Sequence, residues 1–296
     1  MFSYIGGKHG MIKEILAAFP AGYEKMSYVE VFGGAGWIIT NKKPSVSDVY
    51  NDVNKDLSNL FYVLSIPHLR YRLMRALRYC PNSRVNFKAY RDALKSFSFK
   101  IPNLGRAVAF IYVRACSFAG RGSSFGTCRD GRVGGTRVFL TKVIKKKREL
   151  SNLNIENLDY KSLIAKYDSP NAFFYLDPPY YGSEDVYNGG KFFTRADHEV
   201  LAEILKTVKG KFLVSYYDDT AIRELYKGFH FQEFKKFKAS YFKSTGFTKR
   251  PATTELLISN YIPPTFAGGG GGYNSLINKN NRAVMVFPCG VEKRAA

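Results

Sequence analysis

Two short apolar runs end on residues that cannot prolong a strand, and they restrict what this chain can fold into. The run 27–32, SYVEVF, stops at Gly33-Gly34-Ala35-Gly36. The run 171–176, NAFFYL, passes straight into Asp177-Pro178-Pro179-Tyr180. Each reads as a buried strand closed by a sharp turn. Further strands are expected over 45–50, 211–215 and 255–261. Between them apolar residues recur at helical spacing, with Leu57, Leu60, Phe61 and Leu64 in 56–66 and Val200, Leu201, Ile204, Leu205 and Val208 in 196–208. Strands alternating with helices predict an α/β fold with an open, mostly parallel sheet.

Residues 61–150 interrupt that alternation. They hold 20 lysines and arginines against 3 acidic residues, a net +17 within a chain whose formal charge is +21. The stretch 68–118 reads as mostly helical, and the Gly, Ser, Thr and Arg-rich stretch 119–137 as a loop or hairpin. A basic block inside an otherwise balanced chain is an electrostatic footprint for a polyanion, with nucleic acid the first candidate. A solvated basic face without a partner is the plainer reading. An acidic membrane surface is a poorer one, because no anchor accompanies the charge. The expected organisation is an α/β body from 1–60 and 151–261, an inserted, mainly helical domain over 61–150, and a flexible tail over 262–296. That tail contains Pro263-Pro264 and five consecutive glycines, Gly268 to Gly272.

No run approaches the roughly 18 apolar residues of a membrane helix, and 1–10 has no apolar core of a secretory signal. Cys80, Cys116, Cys128 and Cys289 show no close CxxC spacing. Neither a zinc site nor a disulfide framework is expected, and free thiols fit a reducing cytoplasm.

The turn Glu30-Val31-Phe32-Gly33-Gly34-Ala35-Gly36 follows a strand directly, where glycines let the backbone turn tightly and approach a ligand. Ligands of open α/β sheets sit beyond the carboxyl ends of the strands. Such a turn serves a nucleotide, a dinucleotide or nothing at all. The absence of G-x-G-x-x-G and of a following GK[ST] argues against NAD and against a P-loop. Asp52 lies about 20 residues further on, past the second strand, where a carboxylate can accept both ribose hydroxyls of an adenosine-containing cofactor. It could equally cap the helix that starts near Lys55, a role for which Asn54 and Asp56 compete.

Asp177-Pro178-Pro179-Tyr180 carries the most chemistry. Two prolines remove two backbone donors and stiffen the chain as it leaves the strand. Carbonyls and a carboxylate are left facing the crevice as acceptors. An exocyclic amine on an aromatic ring needs such acceptors, because its lone pair is delocalised until its hydrogens are held. Tyr180 offers a face on which a planar base can stack, worth roughly 1–3 kcal/mol. A strand-ending loop whose aspartate caps a neighbour is the bland alternative.

With these segments in place, the chain resembles the Dam-like family of DNA adenine-N6 methyltransferases over most of 1–261, in the family's motif order. Tyr4-Ile5-Gly6-Gly7-Lys8 looks like the N-terminal motif whose aromatic and lysine line the cofactor pocket. Glu30 to Gly36 looks like the cofactor glycine motif, Asp52 to Leu57 like the ribose-binding segment, and Asp177 to Tyr180 like the catalytic motif. Asp159-Tyr160 is placed like the residues that contact the cofactor adenine. Phe193 to His198, Lys211 to Ser215 and Glu255 to Tyr261 look like the later motifs. The resemblance implies a Rossmann-like fold and a site-specific adenine-N6 methyltransferase using S-adenosylmethionine, with no metal. It implies Asp177, Pro178, Pro179 and Tyr180 as catalytic residues. Tyr4, Lys8, Glu30, Phe32, Gly33, Gly34, Gly36, Asp52, Asp159 and Tyr160 are the implied cofactor residues. An acidic first residue in the tetrapeptide points to adenine within the wider family. The recognition segment departs from relatives that read GATC: Phe118-Ala119-Gly120-Arg121 stands where they carry an aromatic-Asn-Gly run.

The expected partner is double-stranded DNA, with the target adenine flipped out of the helix. Arg114, Phe118, Arg121, Arg129, Arg132 and Arg137 are the candidate DNA contacts, each arginine reading a guanine or holding a phosphate. No protein partner is required, and a restriction endonuclease of the same system is the one candidate. The expected location is the cytoplasm of a bacterial or phage-infected cell. His198 reads as a cap or surface residue rather than an acid–base catalyst. Methylation of RNA, and a DNA-binding protein without turnover, are the rival readings.

Overall fold

The computed structural model describes residues 2, 4, 7–95, 98–117, 120, 122–126, 135–184, 192–237 and 252–264. After a short α1 (Ile12–Ala17), the chain runs β1 (Ser27–Glu30), β2 (Ser47–Asn51) and α2 (Lys55–Ser65). Five helices of the basic segment follow: α3 (Pro67–Tyr79), α4 (Arg84–Ala93), α5 (Leu104–Ala115), α6 (Gly135–Lys145) and α7 (Lys147–Ser151). The chain then returns through β3 (Leu153–Glu156), α8 (Tyr160–Tyr167), β4 (Ala172–Leu176), α9 (Arg195–Thr207), β5 (Lys211–Tyr217), α10 (Thr220–Leu225), β6 (His230–Phe237) and β7 (Ala252–Ser259).

The strands form one seven-stranded sheet in the order β3-β2-β1-β4-β5-β7-β6. All neighbours are parallel except those of β7, which is antiparallel to both β5 and β6. The order reverses between β1 and β4, and the crevice outside the carboxyl ends of strands at such a reversal is where open α/β sheets bind ligands. The fold is therefore the expected mostly parallel α/β sheet. β4 shows why its sequence is apolar without a break: all five of its residues are buried, as in a strand covered by helices on both faces.

Side-chain alternation divides the core into two layers. Tyr28, Phe173, Tyr175, Leu213 and Leu257 face α2, α3, α5 and α6. Their strand neighbours Val29, Phe174, Leu176, Val214 and Leu256 face α8, α9 and α10. The helices of the basic segment thus share an apolar core with the sheet. α5 is the centre of that group and is buried from Arg106 through Val113. Arg106 survives there because it forms a two-pronged pair with Asp56 of α2, with its NH2 group 3.0 Å from Oδ2, and also donates to the carbonyls of Ala93 and Leu94. One of the cations counted in the basic block is thereby withdrawn from the surface.

The stretch expected to be helical over 68–118 resolves into α3, α4 and α5. Of the loop or hairpin expected over 119–137, the described part shows an antiparallel bridge between Ser117 and Phe125 and the first turn of α6. The tail beyond residue 264 lies outside the described residues. No helix among the described residues is long and apolar enough to cross a membrane.

Candidate active site

Three acids mark the carboxyl ends of adjacent strands and open onto one cleft. Glu30 closes β1, Asp52 follows β2, and Asp177 follows β4. Tyr4, Lys8, Phe32, Gly34, Trp37, Arg114, Pro179 and Phe193 are among the residues that wall it.

The glycine turn between Glu30 and Trp37 is shaped from two sides. Gly34 and Gly36 adopt left-handed backbone, with φ of 49° and 62°. A Cβ on Gly33 would fall within the Tyr50 ring, and one on Gly36 within the Phe61 ring. Those rings stack on each other at 3.8 Å and 21°. Gly33 and Gly36 are thus demanded by packing from the core. Only Gly34 has open space, since a Cβ there would meet nothing nearer than Tyr4 at 3.9 Å. Gly33 and Gly34 both line the cleft, and of the three glycines only Gly34 has room for a Cβ.

Asp52 accepts the Gly34 N–H through Oδ2 at 2.8 Å and the Asn54 N–H through Oδ1 at 2.8 Å. Asn54 caps α2 by accepting the Asp56 N–H at 3.0 Å. Of the two roles open to Asp52 in the sequence, the cap has gone to Asn54, and Asp52 ties the glycine turn to the entry of α2. Burial pushes the Asp52 carboxyl up to about 6. Burial acts more strongly on Glu30, which accepts from the Tyr28 hydroxyl at 2.8 Å and is pushed up to about 8. At neutral pH Glu30 is mostly protonated.

Two side chains donate to the same oxygen of Asp177. Oδ1 accepts from Ser215 Oγ at 3.0 Å and from Lys8 Nζ at 2.6 Å. Burial raises the Asp177 pKa, and Lys8, Ser215 and Tyr180 oppose it. The same ammonium donates to the Tyr180 hydroxyl and lies 4.4 Å from the centroid of that ring. Tyr180 in turn donates to Glu255 at 3.4 Å and meets the Tyr217 ring edge-on at 4.3 Å. Lys8 lines the cleft as expected, but its charge is directed at the Asp-Pro-Pro-Tyr segment.

Asp159 and Tyr160 line an adjoining hollow, and Phe32, Val53 and Phe192 belong to both spaces. Asp159 caps α8 through the N–H groups of Lys161 and Ser162, and its bonds to Ser162 hold it below the usual carboxylate range. Tyr160 stacks on Phe32 and donates to Asp197 at 2.8 Å.

A family model for D12 class N6 adenine-specific DNA methyltransferases matches residues 4–240 of the chain. This chain belongs to that class. It is also similar to the modification methylase StsI of Streptococcus sanguinis, at 25% identity over 204 residues, covering 64% of this chain and 30% of the relative. The chain therefore spans less than a third of the length of that relative.

The D12-class match takes in the Tyr4-to-Lys8 segment, the glycine turn, the basic block and the Asp-Pro-Pro-Tyr segment, and stops before Glu255. In this D12-class structure Arg114 reaches from α5 into the cleft, 5.3 Å from the Tyr4 ring, and donates to the Gly120 carbonyl at 3.1 Å. Arg137 is exposed on α6. Phe118, Arg121, Arg129 and Arg132 lie outside the described residues. His198 corrects an expectation: it is fully buried, and the cap of α9 is the reciprocal pair of Thr194 and Asp197. A histidine placed between an aspartate and an apolar helical repeat gives no sign of which way it points.

Trp37, Ser215 and Glu255 carry site contacts that the sequence reading did not single out. Trp37 is the one tryptophan of the chain. It directly follows the glycine turn, and Lys142 of α6 sits 4.5 Å over its ring. That adjacency was a usable signal. No group of His, Cys, Asp or Glu suited to a metal occurs among the described residues.

Proposed function

We propose that this D12-class protein transfers a methyl group from S-adenosylmethionine to the N6 amine of an adenine turned out of duplex DNA. The observation that carries the reading is Asp177, fixed through Oδ1 by Lys8 and Ser215 in the same cleft that Glu30 and Asp52 line.

The donor set fits the cofactor. Asp52, anchored by two backbone N–H groups, is placed to accept ribose hydroxyls. Glu30, mostly neutral although Lys42 draws its pKa down, would be driven to ionise by an ammonium in the cleft. The hollow bounded by Phe32, Val53, Asp159 and Tyr160 suits a planar purine. S-adenosylmethionine bound there supplies a methyl group already activated on a sulfonium. Asp177 and a carbonyl of the Pro-Pro segment accept the amine hydrogens and turn the nitrogen lone pair toward the cofactor. Tyr180 stacks on the base, whose entry displaces the Lys8 ammonium from over that ring. These residues position and polarise, and no covalent intermediate with the protein is needed.

Flipping costs a few kcal/mol, which DNA contacts must supply. The outward face of α3 is suited to that task. His68, Tyr71, Arg72, Arg75, Arg78 and Tyr79 are all exposed, and the helix holds no acid. Such a face binds phosphates without reading sequence. The body formed by 1–60 and 151–261 acts as the catalytic unit and 61–150 as the recognition unit, working in the cytoplasm. The name of the curated relative, a modification methylase, supports pairing with a restriction endonuclease.

The test is incubation of the purified protein with duplex DNA lacking adenine methylation and with labelled S-adenosylmethionine, followed by mass spectrometry of the nucleosides. N6-methyladenine with the wild type and none with Asp177→Ala supports the reading. No methylated nucleoside from DNA, despite binding of cofactor and duplex, refutes it.

A further inference from the structure

His198 lies behind the cleft yet is bonded to the elements on both sides of the Asp-Pro-Pro-Tyr segment. Its Nε2 is 3.1 Å from Glu184 Oε1, and its Nδ1 is 2.9 Å from the Tyr216 hydroxyl. Glu184 is the fourth residue past Tyr180, and the same carboxylate oxygen accepts the Gly182 N–H at 3.1 Å. The turn that leaves Tyr180 is thereby pinned to α9. Tyr181 packs edge-on against the imidazole at 5.2 Å, with the Arg195 guanidinium 3.6 Å from the Tyr181 centroid. On the other side, Tyr216 follows Ser215, the donor to Asp177, and its ring lies 6.0 Å from that of Tyr180. Phe193, a wall of the cleft, meets the imidazole at 4.8 Å.

The hydrogen bonds select one form of the ring. Burial works against ionisation of Glu184, but its bonds to backbone N–H groups and to His198 outweigh this, and its pKa is lowered. An ionised carboxylate only accepts, so the proton between the two groups belongs to Nε2. Burial lowers the His198 pKa, which leaves Nδ1 free to accept from Tyr216. The charged and titratable groups around the imidazole are Glu184, Arg195, Asp197 and Tyr216, with Tyr226 packed behind Tyr216. Both ring nitrogens are thus occupied, and the imidazole is not offered to a substrate proton.

We propose that His198 is a positioning residue for methyl transfer: its Nε2–H holds the 181–184 turn through Glu184 while its Nδ1 holds Tyr216, and together these fix the Asp-Pro-Pro-Tyr segment, whose Asp177 and Pro179 line the cleft. The inference rests on the methyltransferase reading above. It adds a role that neither the glycine turn nor the Asp-Pro-Pro-Tyr segment supplies. The contacts place the misalignment on removal at the reacting groups and leave Asp52 and Glu30 untouched. A misplacement of about 1 Å at reacting atoms costs on the order of 100-fold in rate.

The experiment compares wild type, His198→Leu, His198→Gln and Glu184→Ala. kcat is measured at saturating DNA and cofactor, S-adenosylmethionine affinity by calorimetry, and duplex affinity by anisotropy. The imidazole tautomer of the wild type is read from its nitrogen NMR shifts without substrate. The expected result is a kcat lower by about 100-fold in His198→Leu and Glu184→Ala, with both affinities unchanged. Gln, which keeps an amide N–H for Glu184, should recover most of the loss, and the wild-type spectrum should show the Nε2–H form. An unchanged kcat in His198→Leu, a parallel fall in kcat and cofactor affinity, or a Gln variant no better than Leu would each overturn the proposal. So would an Nδ1–H tautomer. A wild type that binds cofactor and DNA without turnover defeats the methyltransferase reading instead, and the tautomer then reports on the contact alone.

Discussion

In the cleft, Glu30 is buried and Asp52 and Asp177 are half-buried, each bonded to named donors and each with its pKa raised by desolvation. On α3, Arg72, Arg75 and Arg78 stand in solvent on one face with no acid in the helix. The two regions use charge in opposite ways. In the cleft the acids are partly or wholly withdrawn from water, where electrostatic interactions are stronger and removing one partner leaves another group stranded. On α3 each cation is screened and replaceable, and the set acts by number. Variants in the cleft should therefore be severe and largely independent of salt, while variants on α3 should be mild, cumulative and dependent on salt.

Asp177→Asn should have the largest effect. Losing the carboxylate at the reacting amine is expected to lower kcat by about 10³-fold or more, with cofactor affinity intact, measured in single-turnover reactions at low and high salt. A loss that salt could restore would break the contrast. Glu30→Gln comes next and has two signs. Cofactor affinity should fall by about 10- to 100-fold with the loss of a charge-assisted bond. Relative to the wild type, the variant should nevertheless gain stability as pH rises. Glu30 has a folded pKa of about 8 against a reference of 4.5. Between those values the folded state holds more protons than the unfolded state, so the wild type loses stability as pH increases through that window. Thermal unfolding at pH 6 and pH 9 should show the variant's advantage growing with pH.

Lys8→Met should act on Asp177 through its ionisation. Without the cation, burial is less opposed and the carboxyl protonates at higher pH, so the acid limb of the kcat profile moves to higher pH. A limb that stays in place would show that Lys8 does not govern Asp177. The smallest effect belongs to α3. Replacing Arg72, Arg75 and Arg78 with Gln should flatten the dependence of log affinity on log salt by about 0.9 for each phosphate that is no longer neutralised, with kcat at saturating DNA unchanged. A fall in that kcat would mean the helix contributes more than backbone grip.

The same contrast explains what could be read from the residues alone. The sheet, the glycine turn, Asp52 and Asp177 were legible because each sits at a strand end, where local sequence dictates the turn. β3 and β6 were not anticipated. LNIE is four residues long at one edge of the sheet, and HFQEFKKF at the other edge is rich in charge, so neither carries the apolar run that marked β1 and β4. The pairing of Lys8 with Asp177 spans most of the chain, and the link from Glu184 through His198 to Tyr216 joins three separate elements. Such contacts come from tertiary packing, and no spacing rule encodes them. The α3 face was visible only as composition, because exposure decides which arginines are available and Arg106 is not.

The stacked Tyr50 and Phe61 rings beneath the glycine turn bear on how mutants of this protein should be diagnosed. Gly33→Ala or Gly36→Ala would eliminate activity, and an assay at one temperature would score either position as ligand-contacting. The primary lesion would be a steric overlap propagated into the core, and so a defect in maturation of the protein. Such alleles should behave as conditional ones, recovering function at a permissive temperature or when a smaller residue replaces the offending ring. Asp52, proposed above to hold the cofactor ribose, should offer no such second-site suppression.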